Sequence, residues 1–143
     1  MPKSTITCNR LLALVFNATA WASIADNAAA APLTNLFVSL HTADPGVGNA
    51  QTTNEIAYTN YVRIPIPRTS GGWTVATNTA VNAALAQLAQ CGATGGTATH
   101  VAVGTAVAGA GNVLYAGALS AALAIALNIQ PQFSAGGLQV TES

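Results

Sequence analysis

The chain has 143 residues, the size of one domain, and only 6% of them are Asp, Glu, Lys or Arg, whereas an average soluble domain has about 25%. The formal net charge is +0, and proteins with so little charge tend to associate, so we expect neighbouring molecules to cover much of the surface. The sequence has no run of Lys or Arg to bind nucleic acid, and no stretch reaches the roughly 20 apolar residues of a membrane helix.

Residues 1–32 predict an amphipathic helix that forms an N-terminal arm. Ser4 or Thr5 is the predicted N-cap, and Pro32 is the predicted end. Two alternatives stay open: the helix packs on the sheet of its own chain, or it docks on a neighbouring subunit. The prediction rests on apolar residues that recur every four positions and share one helix face: Leu12, Phe16, Ala20 and Ile24.

Residues 33–143 predict a single β-sandwich or jelly-roll-like domain of about seven to eight short strands. The first strand covers residues 36–42 and is followed by a long loop at 43–60 that opens with an Asp-Pro-Gly turn. A loop of this length in a small domain is usually functional or forms contacts. In the strand, two sets of side chains alternate, as in a half-buried strand: Leu36, Val38 and Leu40 against Phe37, Ser39 and His41.

The next predicted strand, residues 61–68, has Val62, Ile64 and Ile66 on one face and Arg63 on the other. Its two prolines cannot donate backbone hydrogen bonds, which confines the strand to a sheet edge or a bulge. A Ser-Gly-Gly turn follows, and a further strand begins at Trp73.

The second half of the chain predicts several more strands. Residues 81–90 contain good helix formers but have flanks typical of strands, so helix and strand both stay open and we favour strand. Residues 98–105 and 113–118 predict a hairpin, and residues 138–141 predict a closing strand. Between them, a separate strand is indicated by alternating apolar residues: Leu123, Ile125, Leu127 and Ile129.

Candidate catalytic and ligand-binding residues are few. His41 and His100 are the candidate bases, and each lies inside a predicted strand with no acidic neighbour in sequence. The acidic residues form no convincing catalytic pair, and the glycine-rich segments lack a phosphate-binding pattern. Cys8 and Cys91 are distant in sequence and are predicted to be buried free thiols rather than a disulfide or metal ligands. We therefore predict no enzyme activity, no cofactor and no metal.

Aromatic residues and arginines concentrate around the long loop and the turn after it. They form either a core cluster or the anchors of an interface, because Trp, Tyr and Arg dominate interface hot spots. Because charges are so scarce, we expect Asp44 and Glu55 to orient turns or contacts as well. Together with two residues of the helix, the predicted interface set is Leu12, Phe16, Tyr58, Tyr61, Arg63, Arg68 and Trp73.

Several segments together resemble a family of small virion structural proteins of tailed bacteriophages. The resemblance covers nearly the whole chain, and it implies a component of the virion, assembled in the cytoplasm of a bacterial host. Members of this family are described as head decoration proteins or as tail-associated proteins. The matching segments are SLHTADPG (39–46), YTNYVR (58–63) with Arg68, GWTV (72–75), THVAVG (99–104), GNVLYAGAL (111–119) and FSAGGLQVTE (133–142).

The resemblance leads to two main hypotheses. The first is a capsid decoration, or cement, protein whose partners are the major capsid protein and its own copies, as a trimer or dimer. The alternative is a tail, neck or fibre component, including a role in host recognition through the loop 43–60. A third hypothesis, from a different class, is a hydrolase or lectin-like module, which requires an exposed aromatic residue beside carboxylates. We expect neither a nucleic-acid nor a membrane partner.

Overall fold

The computed structural model describes residues 3–21, 24–25, 31–46 and 50–143. Within these residues the chain forms one helix and nine strands, and the strand pairs are antiparallel. The predicted fold class, mainly β with an N-terminal helix, is confirmed. The elements are α1 (Thr5–Asn17), β1 (Asn35–His41), β2 (Ile64–Pro67), β3 (Trp73–Ala76), β4 (Thr79–Asn82), β5 (Ala86–Gln87), β6 (Gly96–Gly104), β7 (Val113–Ile125), β8 (Gln132–Phe133) and β9 (Gln139–Thr141).

The helix begins where predicted but ends earlier. Ser4 is the N-cap, and its hydroxyl accepts a hydrogen bond from the backbone N–H of Thr7. After Asn17 the backbone of Ala18 turns into the left-handed region, with φ of 50°, which ends the helix. The prediction that the same helical face continues to Ile24 is wrong, since that side chain is 69% exposed.

The chain divides into two compact units. The first comprises Met1–Asn35, Ile66–Ala86 and Phe133–Ser143, and it contains α1 and a sheet of order β3–β4–β9. The helix contacts β3 and β4 of its own chain, as in the first of the two alternatives for it. Its buried side chains are Cys8, Leu12 and Phe16. The predicted division into residues 1–32 and 33–143 stays a prediction.

The second unit comprises Leu36–Pro65 and Gln87–Gln132. Here β6 lies between β1 and β7, and Val38 of β1 is opposite Val103 of β6. The predicted half-buried pattern of β1 is wrong, because Ser39 and His41 are as buried as Val38 and Leu40. Both faces of the C-terminal half of this strand are therefore covered.

Strand β2 is shorter than predicted, but it lies at the predicted edge of its sheet. Pro65 and Pro67 fit there because their nitrogen atoms have no hydrogen to donate. The predicted separation of an apolar face from a polar face is wrong at Val62 and Arg63, which directly precede the strand. Val62 is 61% exposed, whereas Arg63 is only 4% exposed, so the polar residue is the buried one.

Strand β7 merges two predicted strands into one and carries a large irregularity. Ala98 of β6 pairs with Leu123, and His100 pairs with Ala118, so residues 119–122 all lie opposite Thr99. The strand ends at Ile125, and the predicted continuation is wrong. The apolar side chains beyond that point, Leu127 and Ile129, are 57% and 43% exposed.

Two questions left open by the sequence are answered. Residues 81–90 contain the end of β4 and the short strand β5 and no helix, so the strand interpretation is confirmed for four of these ten residues and the others are irregular. Cys8 and Cys91 are both buried free thiols, as predicted.

Candidate functional site

The second unit contains a buried ion pair between Arg63 and Glu55. The guanidinium of Arg63 binds the carboxylate of Glu55 through two hydrogen bonds: Nε donates to Oε1 at 2.6 Å and Nη2 donates to Oε2 at 2.7 Å. The side chain of Glu55 is 15% exposed and that of Arg63 is 3% exposed, so water screens the pair little. The hydrogen bonds with Glu55 raise the pKa of Arg63 above its ordinary value. This two-pronged geometry is specific to arginine, since lysine has a single ammonium group.

The same guanidinium fixes the loop between β6 and β7, which we call the contact loop (residues 105–112). Nη1 donates to the carbonyl oxygen of Ala106 at 2.9 Å, and Nη2 donates to that of Gly109 at 2.8 Å. Gly109 has a φ of +71°, a conformation that glycine adopts without strain. One buried cation therefore determines the path of a loop more than 40 positions away in sequence.

Gln51 is a second anchor of the contact loop. Its fully buried amide accepts from the backbone N–H of Ala106 at 2.9 Å and donates to the carbonyl of Phe37 at 3.3 Å. Its backbone N–H donates to the carbonyl of Ala110 at 2.7 Å. A side chain at Gly104 would overlap with this amide and would have to displace it from its hydrogen bonds. Sequence reasoning missed Gln51, because nothing in its immediate sequence indicates a buried amide.

Two tyrosines lie beside the ion pair. The hydroxyl of Tyr61 donates to Oε1 of Glu55 at 2.8 Å and accepts from the backbone N–H of Leu40 at 3.1 Å. Its ring packs edge-on against the ring of Tyr58, with centroids 5.2 Å apart. The hydroxyl of Tyr58 donates to the carbonyl of Ala89 at 2.7 Å. Burial raises the pKa of Tyr58 to about 12, and burial also raises the pKa of Tyr61. Both phenols therefore stay protonated at neutral pH.

An open cleft of about 520 Å³ lies on this side of the second unit. Most of its polar side chains are already in use within the chain: Glu55 is bound by Arg63, for example, and the hydroxyl of Thr59 accepts from the backbone N–H of Thr94. The lining residues are Thr52, Glu55, Ile56, Ala57, Tyr58, Thr59 and Tyr61.

His41 is buried, and both of its ring nitrogens have hydrogen-bond partners. Its Nδ1 lies 2.9 Å from the carbonyl oxygen of Thr53 and its Nε2 lies 2.9 Å from the hydroxyl of Ser39. Burial lowers the pKa of His41, so the neutral ring is favoured. His100 is its cross-strand partner. Among the described residues, no group of three or more His, Cys, Asp or Glu side chains is placed to hold a metal ion.

The remaining predicted site residues lie in the first unit. Arg68 donates to the carbonyls of Val15 at 2.7 Å and Leu14 at 2.8 Å, so it caps the last turn of α1. The ring of Phe16 packs edge-on against Trp73, with centroids 4.6 Å apart, and both are fully buried. Trp73 therefore has no exposed ring face for a sugar. The glycan hypothesis requires such an exposed face, and Trp73 does not provide it.

The structure places the seven predicted interface residues inside the two units. Tyr58, Tyr61 and Arg63 come together in the second unit; the others, which are Leu12, Phe16, Arg68 and Trp73, belong to the first. Most of them are buried by their own chain, so a partner would touch mainly the residues that cover them. Their role in an interface stays a prediction. The expectation that the rare charges orient turns is met at Asp44, whose Oδ1 accepts from the backbone N–H of Gly46 at 2.8 Å.

The chain is mainly β, and several of its few charged groups fix its own loops. Its sequence similarity to a family model places it in the class of bacteriophage virion structural proteins. The chain is a member of the Gp80 family, described as "Podophage GP4 fiber I protein gp80", whose family model matches residues 2–141. The resemblance to a phage virion family and the virion localisation are thereby confirmed. No curated protein matches the chain. The description names a fibre, so the fibre alternative fits better than the capsid-cement hypothesis, which it does not support. No helix in the described ranges is long and apolar enough to cross a membrane.

Proposed function

We propose that this chain is a fibre or tail-associated component of a podophage virion. The observation that carries the proposal is the family description, which names a fibre protein and applies to nearly the whole chain. The charge composition supports a protein that works inside an assembly, because a surface with so few charges is best tolerated where neighbours cover it.

The arrangement of the second unit supports a passive, shape-based role. A buried Arg63 and a buried Gln51 hold the contact loop in one conformation, as is useful for a protein that presents a fixed surface. Two candidate catalytic groups are already engaged within the chain: His41 is buried between two hydrogen-bond partners, and the carboxylate of Glu55 is paired with Arg63. We therefore propose that the chain acts by binding rather than by catalysis, with other copies of itself and other virion proteins as partners.

The test is the location and copy number of the chain in intact particles. Cryo-EM of purified virions, combined with labelling by an antibody against the chain, is expected to show density at the tail or its fibres. Quantitative mass spectrometry is expected to give a copy number that is a small multiple of the tail symmetry. Density spread over the head, at about one copy per major capsid subunit, would overturn the proposal in favour of capsid decoration.

A further inference from the structure

Strand β7 forms an open edge of the sheet in the second unit. The order of this sheet is β2–β1–β6–β7, so β7 pairs with β6 on one side and, in the part of the chain that the structure describes, with no strand on the other. The unpaired side of an edge strand presents a row of backbone N–H and C=O groups, which can pair with a further strand.

The hydrogen bonds of β1 determine which backbone groups of β7 point outward. The N–H of Leu40 donates to the hydroxyl of Tyr61, and its carbonyl accepts from the N–H of Ile56, so the backbone of Leu40 faces away from β6. Val101 of β6 is opposite Leu40, and the two therefore form a pair without hydrogen bonds between them. Val101 directs its backbone groups to β7 instead, where it is opposite Gly117.

Ala116 and Ala118 are the open positions of this edge. Backbone groups alternate in direction along a strand, so Gly117 bonds to β6 and the alanines on either side of it direct their N–H and C=O groups away from the sheet. Among the described residues, no loop or side chain bonds to these outward groups. Both donors and both acceptors are therefore available to an incoming strand.

Gly117 indicates that another backbone approaches this edge. A side chain at this position would meet no atom of the chain within 4 Å, and the backbone is not in the left-handed region that favours glycine. Gly117 also pairs regularly with Val101, so it forms no bulge. The fold of the chain itself therefore gives no reason for a residue that weakens a strand. Glycine within a strand often marks a site that another backbone approaches closely.

The two edges of this sheet differ in their protection against pairing. At the opposite edge, β2 contains Pro65 and Pro67, which have no N–H to donate. From Val113 to Ile125, β7 has neither a proline nor an Asp, Glu, Lys or Arg. A charged side chain on an incoming strand would lose hydration here without gaining a counter-charge from β7. The strand that fits this edge is therefore uncharged.

The irregularity of β7 argues against a second copy of the chain as the occupant. Residues 119–122 lie opposite Thr99 alone, so the regular edge ends at Ala118. In a symmetric antiparallel pair that uses both Ala116 and Ala118, residues 119–122 of each copy would lie opposite residues 110–115 of the other and interrupt the ladder. The prolines of β2 prevent the other edge of this sheet from supplying the strand. A regular strand from a different protein has no such interruption.

We propose that the open edge of β7, at residues 116–118, binds an extended, uncharged segment of another virion protein as an additional strand. Backbone hydrogen bonds provide the affinity of such binding, and side chains that alternate along the added strand provide its specificity. The open space at Gly117 accommodates a large side chain of that strand. The proposal goes beyond the proposed function and uses only the virion structural role, so it holds or fails whether the chain lies in the tail or in the head.

The test follows amide hydrogen exchange by NMR in the full chain. Without a partner, the amides of Ala116 and Ala118 are expected to exchange at least tenfold faster than that of Gly117, which bonds to β6. The probes are synthetic peptides that tile the other structural proteins of the same virion. An uncharged peptide is expected to bind and to slow exchange at Ala116 and Ala118 at least tenfold, a two-residue period that only an added strand produces.

Two variants at one position provide the control. Ala118→Pro removes an outward N–H but no bond to β6, and it is expected to weaken peptide binding at least tenfold. Ala118→Val adds volume at the same position but retains the N–H, and it is expected to bind the peptide like the unmodified chain. The amide of Val101, which faces β7, reports whether the pairing of β6 with β7 is intact in each variant.

Several results would overturn the proposal. They are the absence of any binding peptide, binding by charged peptides alone, and a bound peptide that leaves exchange at Ala116 and Ala118 unchanged. Slow exchange at these amides without peptide also overturns it: at every concentration it indicates an edge covered by the chain itself, and at high concentration alone it identifies a second copy as the occupant. If Ala118→Pro does not fold, the exchange rates of the unmodified chain decide; if it folds and binds the peptide normally, the proposal is wrong.

Discussion

Removal of the buried cation, by Arg63→Met, tests the central arrangement of the second unit most directly. Methionine fills a similar volume but leaves the carboxylate of Glu55, which is 15% exposed, without its counter-charge. It also removes the donors to the carbonyls of Ala106 and Gly109. Glu55 is then a largely buried anion that retains only the hydroxyl of Tyr61 among its described partners.

The expected loss of unfolding free energy in Arg63→Met depends on which groups lose their partners. Breaking a buried ion pair by removing one member costs about 3–5 kcal/mol of unfolding free energy. The two loop carbonyls lie near the surface, where water replaces the lost donors, so their contribution is small. We expect a loss of about 4 kcal/mol, a large part of the roughly 5–15 kcal/mol by which small domains are stable. With a typical urea m-value this lowers the unfolding midpoint by about 2 M.

Urea unfolding monitored by tyrosine and tryptophan fluorescence measures this loss. A double-mutant cycle with Glu55→Met sharpens the test, because the double variant has no buried anion and is expected to be about 2 kcal/mol more stable than Arg63→Met alone. Arg10→Met is the control, since it removes the charge of an exposed arginine on α1, and its midpoint is expected to stay unchanged. A loss below about 1 kcal/mol for Arg63→Met, or strict additivity in the cycle, would refute the reasoning.

Three further predictions concern other buried groups. Burial lowers the pKa of His41, so the unfolded chain takes up its proton first and stability falls as the pH drops below about 6.5; His41→Gln should flatten this slope in pH-dependent thermal unfolding, and an unchanged slope would contradict the prediction. Arg68→Met should cost about 2 kcal/mol and speed amide hydrogen exchange in α1, whereas the exposed Arg10→Ala should change neither. Phe16→Ala should cost about 3–5 kcal/mol in urea unfolding, because it opens a cavity beside Trp73, and a loss below about 1 kcal/mol would contradict this packing.

Features with a local cause were predictable from the sequence. The prolines of β2 determine an edge strand because they lack a backbone donor, and Ser4 determines the start of α1 because its hydroxyl bonds within the first turn. The fold class follows from alternation and turn residues in the same way. In each case the residue and its physical effect lie within a few positions of each other.

Features with distant partners were not predictable. The alternation around residues 61–68 suggests that Val62 is inside and Arg63 outside, but Glu55 and the contact loop provide partners that make the arginine the buried residue. The end of α1 depends on Arg68, which is more than 50 positions away from the carbonyls it binds. The scarcity of charge was a useful signal in both cases, because Arg63 and Arg68 each prove to have specific intramolecular partners.

The uncharged stretch from Thr69 to Thr141 has a consequence for the conditions under which the protein works. At 0.1 M ionic strength, dissolved salt largely screens attractions between exposed charges that are more than about 10 Å apart, but it has nothing to screen where no charges exist. Contacts between uncharged surfaces of this stretch are therefore not weakened by charge screening. A particle held by such contacts alone would lose none of its cohesion to charge screening as the salt concentration rises.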